Sequence, residues 1–155
     1  MYKISLFFVF IFSVFLVACS SEKEALGTEE SQIKNYIKSK NLTVTDSTEG
    51  GLQFILTKAN PLGTVLKSGQ MVSVNYTGKF IAGKKMDKEF DSGNFSFSLN
   101  AGEVVQGFDK GISKMRVGEK ATIIFPSSMG YGSSGAGSIS ANTPLLFDIE
   151  VVSAK

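Results

Sequence analysis

The chain of 155 residues contains no histidine, no tryptophan, three prolines and a single cysteine, Cys19. Without histidine, Ser-His-Asp and Cys-His catalysis are excluded, and so are histidine-ligated metal centres. One cysteine can close no internal disulfide and build no thiolate metal cluster, so no metal site is expected. Excess charge is also missing: 16 basic residues face 14 acidic ones and no run of Lys or Arg forms a stripe. That balance argues against a nucleic-acid partner. Lys84-Lys85 and Lys88 lie among acids and read as a solvated turn. A carboxylate pair working as acid and base stays open, and whatever the chain catalyses must be mild.

What is present begins with an apolar run. Lys3 is followed by Ile4 to Ala18, uninterrupted by charge and holding five phenylalanines. Such a run is short for ~30 Å of hydrocarbon but suits the core of a secretory signal. It ends in Leu16-Val17-Ala18-Cys19, which resembles the bacterial lipobox and points to lipidation of Cys19 after cleavage behind residue 18. An ordinary signal peptide or an N-terminal anchor helix is the alternative. At ~0.8 kcal/mol per buried methylene, several acyl chains anchor durably where one is marginal. Ser20-Ser21 contains no aspartate retention signal, which leans toward the outer membrane of a bacterial envelope; Glu22 and Glu24 also suit surface export.

The remaining 137 residues suffice for one domain with its own core. Residues 1–18 are read as the signal, 19–50 as lipidated cysteine, tether and short helix, and 51–155 as the folded domain. In EESQIKNYIKSKN, residues 29–41, Ile33, Tyr36 and Ile37 recur at helical spacing with acids early and lysines late, which predicts a short amphipathic helix. Thr43-Val44-Thr45 reads as a short strand and Glu49-Gly50-Gly51 as a turn. From Leu52 the period is two: Leu52 to Lys58, Met71 to Phe80 and Phe95 to Leu99 are predicted strands, as are Lys120 to Phe125 and Leu145 to Val152. Asn60-Pro61-Leu62-Gly63 is a predicted turn. A helical period appears once more, at Phe108, Ile112 and Met115, closed by Val117-Gly118. Several antiparallel strands with one such helix predict an α+β domain: a curved antiparallel sheet wrapped around one short helix, preceded by the signal peptide and the short N-terminal helix.

Gly130-Tyr131-Gly132-Ser133-Ser134-Gly135 matches the glycine pattern of dinucleotide sites. Such a site needs a helix next, whose N-terminal amides face the pyrophosphate. Ala136 to Pro144 has no helical period, so a glycine-rich flap is the better reading and no cofactor is expected.

The segments VNYTGKF, GKKMDKEFDSG, EVVQGFDKGISKMRVGEKATIIFPSSMGYG and NTPLLFDIEV closely resemble the FK506-binding protein (FKBP) family of peptidyl-prolyl cis-trans isomerases. The resemblance runs from about Gly51 to Val152, in order and with near-family spacing. It implies the same curved sheet over one helix. It also implies a pocket lined by Tyr76, Phe90, Phe95, Val104, Phe108, Ile139 and Phe147, with Asp91, Val105 and Tyr131 as the catalytic positions. Phe108 stands at the floor, where the family usually has tryptophan. The flap reads Ile139-Ser140-Ala141 where many relatives have isoleucine and two prolines, and Met86 to Glu89 look inserted. By residue type alone, Asp91 after Phe90 reads as a turn residue, while Tyr131 between two glycines suits a core poorly.

The implied activity has a physical rationale. Rotation about a peptide bond is opposed by ~18–20 kcal/mol because nitrogen's lone pair is delocalised into the carbonyl. Water stabilises that charge-separated planar form; an apolar pocket removes the water and lowers the relative cost of the twisted amide. The resemblance assigns two hydrogen bonds to substrate carbonyls, from the Tyr131 hydroxyl and the Val105 N–H, and gives Asp91 the task of orienting Tyr76. Proline-containing polypeptides are the implied substrates, and macrolides such as FK506 or rapamycin the implied ligands. The alternatives are a non-catalytic module of the same fold that binds peptides or unfolded chains, and a purely structural lipoprotein.

Overall fold

The computed structural model describes residues 27–48 and 50–155; the apolar run, Cys19 and the start of the tether lie outside the described residues. The elements in chain order are helix α1 (Glu29–Ser39), β1 (Asp46–Ser47), β2 (Gln53–Lys58), β3 (Met71–Phe80), β4 (Glu89–Ser98), helix α2 (Gln106–Ile112), β5 (Lys120–Phe125) and β6 (Leu145–Ala154). Single 3-10 turns occupy Gly83–Lys85 and Ser127–Met129. The strands form one six-stranded sheet in the order β1-β2-β5-β6-β3-β4, antiparallel throughout.

Side chains alternate across a strand, so each strand supplies two faces. One face carries Phe54, Val72, Val74, Phe97, Ile123, Phe125, Phe147 and Ile149, packed with Phe108 and Ile112 of α2 in the larger core. The other carries Ile55, Ile81, Ile124 and Leu146, which pack with Ile33 and Tyr36 of α1 in a second, smaller core. Strands buried on both faces read as unbroken apolar runs. Ile123-Ile124-Phe125 and Leu145-Leu146-Phe147 are such runs, each buried throughout. The predicted sheet over one helix is present, and α1 covers its reverse face.

Helix α1 is locally well specified. Thr28 accepts a hydrogen bond from Ser31 N–H through its side chain, and Glu29 and Glu30 occupy the first turn, where acids suit the helix dipole. Helix α2 is shorter than the sequence suggested: it ends at Ile112, and Met115 is buried beyond its end. Two glycines set its place. A Cβ on Gly107 would lie 2.3 Å from the Phe125 ring and one on Gly111 2.7 Å from Ile123. Glycine inside a helix costs about 1 kcal/mol relative to alanine. That cost is offset here by letting the helix backbone approach β5 closely.

Two short segments differ from expectation. The strand read at Thr43–Thr45 falls at Asp46–Ser47; only the Thr45 N–H joins the ladder, donating to the Phe54 carbonyl at 2.8 Å. Phe90-Asp91 forms no turn. Both residues belong to β4, a strand of ten residues paired along nearly all of β3.

Candidate functional site

The β3–β4 ladder contains one irregularity, and it shapes the site. Gly78 pairs with Asp91 and Lys79 with Glu89, so Phe90 is the extra residue of a β-bulge. Strict alternation would send Phe90 and Asp91 to opposite faces. With the bulge, the Phe90 ring lies beside Phe147 at 5.5 Å between centroids and Phe80 at 5.1 Å, while Asp91 reaches the core-side hydroxyl of Tyr76. Gly78 makes this possible, since a Cβ there would fall 2.6 Å from the Phe90 ring and 2.9 Å from Phe147.

A cleft of about 490 Å³ opens at the end of the larger core, lined by Tyr76, Asp91, Phe95, Glu103, Val104, Val105, Phe108, Tyr131 and Phe147. Its rings support one another. Phe108 stands edge-on to Tyr76 at 5.9 Å and to Phe147 at 5.1 Å, and Phe147 stacks on Phe125 behind it at 5.8 Å. Phe108 and Phe147 are buried floor and back wall, whereas Phe95 and Tyr131 are exposed at the rim. Phe95 stacks on Phe97 at 6.0 Å, which holds it at the edge of the sheet. Val105 is the residue that caps the N-terminus of α2.

Polar groups are few. The Tyr76 hydroxyl donates to Asp91 Oδ2 at 2.8 Å. Burial pushes the Tyr76 hydroxyl up to about 12, helped by the Asp91 carboxylate and by Tyr131. Tyr76 therefore keeps its proton throughout the neutral range, and its hydroxyl remains committed to Asp91.

Of the ten pocket positions named from the sequence, eight line this cleft. Phe90 stands behind it, bracing Phe147. Ile139 is buried against the larger core at the base of a tight turn, where Ala136 and Ile139 exchange backbone hydrogen bonds of 2.8 and 2.9 Å. The residue that the sequence did not flag is Glu103, which also lines the cleft and accepts from the Ser98 N–H at 3.1 Å. Its position directly before Val104-Val105 was the available signal. The glycine motif at 130–135 is loop throughout, and no helix follows it. A larger cleft of about 660 Å³ lies between the start of α1, the turn at Gly83–Lys85 and residues 140–144; its one aromatic lining residue is Phe80, so no ring cage forms there.

Comparison with known proteins agrees with this geometry. The family model for FKBP-type peptidyl-prolyl cis-trans isomerase matches residues 63–152. The chain is 36% identical over 140 residues to peptidyl-prolyl cis-trans isomerase FKBP15-3 of Arabidopsis thaliana, covering 88% of this chain and 96% of that one. It is 45% identical over 93 residues to FK506-binding protein 3 of Candida albicans, which spans 60% of this chain but only 22% of that longer protein. Among solved structures, the crystal structure of FkpA from Escherichia coli superposes with a TM-score of 0.70 at 28% identity, covering 88% of this chain and 63% of the other.

Proposed function

This chain belongs to the family of FKBP-type peptidyl-prolyl cis-trans isomerases, and from that premise we propose that it speeds X-Pro rotation in proteins of a bacterial cell envelope, held at a membrane by a lipidated Cys19. The observation that carries the catalytic half is the cleft itself: a cage of rings with one free-standing hydroxyl, Tyr131, at its rim. A prolyl ring seated against Tyr76, Phe108 and Phe147 displaces water from the amide it belongs to. The planar, charge-separated amide loses its hydration, and the twisted amide, with less separated charge, loses less. The Tyr131 hydroxyl and the Val105 N–H donate to carbonyls on the substrate, fixing the chain on either side of the rotating bond. Asp91 holds the Tyr76 ring in place through its hydroxyl. No group changes protonation state, and no covalent bond forms.

The anchoring half is supported by the apolar run ending at Ala18-Cys19, and the outer membrane by Ser20-Ser21 in place of an aspartate signal. The name of the Candida relative supports FK506, and by the same chemistry rapamycin, as ligands of the cleft.

The test of catalysis is NMR exchange of a short X-Pro peptide with the full chain in detergent. Accelerated exchange that FK506 suppresses is the expected result. A peptide that binds without faster exchange would instead favour the non-catalytic binding module. The test of anchoring is Cys19→Ser: labelled palmitate should no longer be incorporated, and an unprocessed precursor should accumulate. Label persisting on the serine variant would place the anchor elsewhere and remove the outer-membrane reading.

A further inference from the structure

Ser127 is a polar residue only 5% exposed, at the start of the loop that carries Tyr131. Its backbone N–H donates to Glu29 Oε2 at 2.6 Å and its hydroxyl donates to Glu29 Oε1 at 2.7 Å. One carboxylate, from the first turn of α1, therefore spans both donors of a residue 98 positions away. Hydrogen bonds to an ionised acceptor are roughly twice as strong as neutral ones. On its other side, the Ser127 carbonyl accepts from the N–H of Gly130 at 2.8 Å and from that of Gly132 at 2.9 Å. Those two residues flank Tyr131. The loop is further tied by Gly135 N–H to the Tyr131 carbonyl at 3.1 Å and by Asn142 N–H to the Gly132 carbonyl at 2.8 Å.

Tyr131 is 37% exposed at the cleft rim, so packing alone does not fix where its hydroxyl points. Where its hydroxyl points is set by the loop backbone, and the loop backbone is gathered on Ser127. The opposite end of α1 has separate attachments: the Tyr36 hydroxyl donates to Asp87 Oδ1 at 2.7 Å and Lys40 Nζ to Asp87 Oδ2 at 2.5 Å. Docking of the helix and orientation of the loop are therefore carried by different residues.

We propose that Glu29 is a positioning residue for Tyr131, acting through Ser127, so that the N-terminal helix is part of the catalytic apparatus. The proposal rests on the isomerase reading above. Glu29→Ala frees the Ser127 donors and lets the Tyr131 loop relax, although Glu29 itself lies outside the cleft.

The experiment compares Glu29→Ala, Glu29→Gln, Tyr36→Phe, Tyr131→Phe and the Glu29→Ala/Tyr131→Phe pair, each as the full chain in detergent, well below its melting temperature. Glu29→Ala should lower kcat/KM for an X-Pro peptide about three- to ten-fold, and Glu29→Gln, which keeps one acceptor, by less. Tyr36→Phe should lower the melting temperature and leave kcat/KM unchanged. In the Tyr131→Phe background, Glu29→Ala should have no further effect, because the hydroxyl it positions is already gone. Unchanged kcat/KM in Glu29→Ala, or losses that multiply independently in the pair, would overturn the proposal. Should Glu29→Ala fail to fold, Glu29→Gln is judged by the same criteria. If the parent shows no isomerisation, the isomerase reading fails by itself. Hydrogen exchange at the Gly130 and Gly132 amides then decides: faster exchange in the Glu29 variant upholds the link, and unchanged exchange refutes it.

Discussion

The two faces of the sheet are built on different plans. The face under α2 is aromatic, with Phe97, Phe108, Phe125 and Phe147 in mutual contact and a cleft left open at one end. The face under α1 is mainly aliphatic, smaller and closed by polar links at both ends of its helix. Helix α1 has a cap, a charged first turn and an amphipathic stripe, all favourable locally. Helix α2 has seven residues, two of them glycines pressed against β5. A helix that must bring its first turn to a binding cleft gives up local propensity for closeness to the sheet, whereas a helix docked outside the cleft keeps its local signals.

The comparison breaks most severely at Gly107. Gly107→Ala puts a methyl within 2.5 Å of three Phe125 ring atoms, so a loss of about 3 kcal/mol is expected, at the upper end of overpacking costs. Thermal unfolding measures it, and peptide exchange should fall too as α2 shifts Val105 and Phe108. Next is Ile33→Ala on the opposite face. Ile33 is 5% exposed in the smaller core, and truncation should cost about 2 kcal/mol, at the low end of core truncations. Activity at low temperature should survive, because Glu29 and Ser127 keep their contact. If activity falls in proportion to stability, the two faces do not act separately.

A smaller effect sharpens the contrast from within the cleft. Tyr131→Phe removes one hydrogen bond, worth roughly 0.5–1.5 kcal/mol. Activity should drop several-fold while the melting temperature barely moves; a large fall in melting temperature without a separate kinetic effect would make Tyr131 a structural residue. The smallest effect is that of pH. The chain has no histidine and the Tyr76 hydroxyl is held up to about 12, so kcat/KM should be flat between about pH 6 and 8. Because the native Tyr76 binds its proton more tightly than the unfolded chain, its contribution to stability is complete below about 10 and is lost between about 10 and 12. A bell-shaped rate profile near neutrality would mean that proton transfer takes part in the reaction.

The β3 strand and the N-terminal helix are legible in the sequence because each repeats a simple period, and β5 because it is a short unbroken apolar run. By residue type alone Asp91 looks like a turn residue, because a bulge at Phe90 interrupts the alternation of β4; the resemblance is what points to its place in the cleft. The site was legible mostly through resemblance. By residue type alone Phe147 looks like core, and it is buried as well as part of the cleft wall. In the sequence Glu29 is no more than a favourable first-turn acid. Its tie to Ser127 depends on the reverse face of the sheet being covered, which the runs at 123–125 and 145–147 signal only when read as two-sided burial.

Strand β6 lies between β5 and β3, bonded to both, and is the last strand the chain supplies to the sheet. Both β3 and β5 precede it in the chain and have no direct pairing with each other. The sheet therefore cannot assemble progressively from its N-terminal side: its two halves wait, edges unpaired, until residues 145–154 arrive. Pairings this distant in sequence are slow to form and leave exposed edges in the interval. A sheet ordered this way closes in one step, when β6 joins two half-sheets that until then are paired only within themselves.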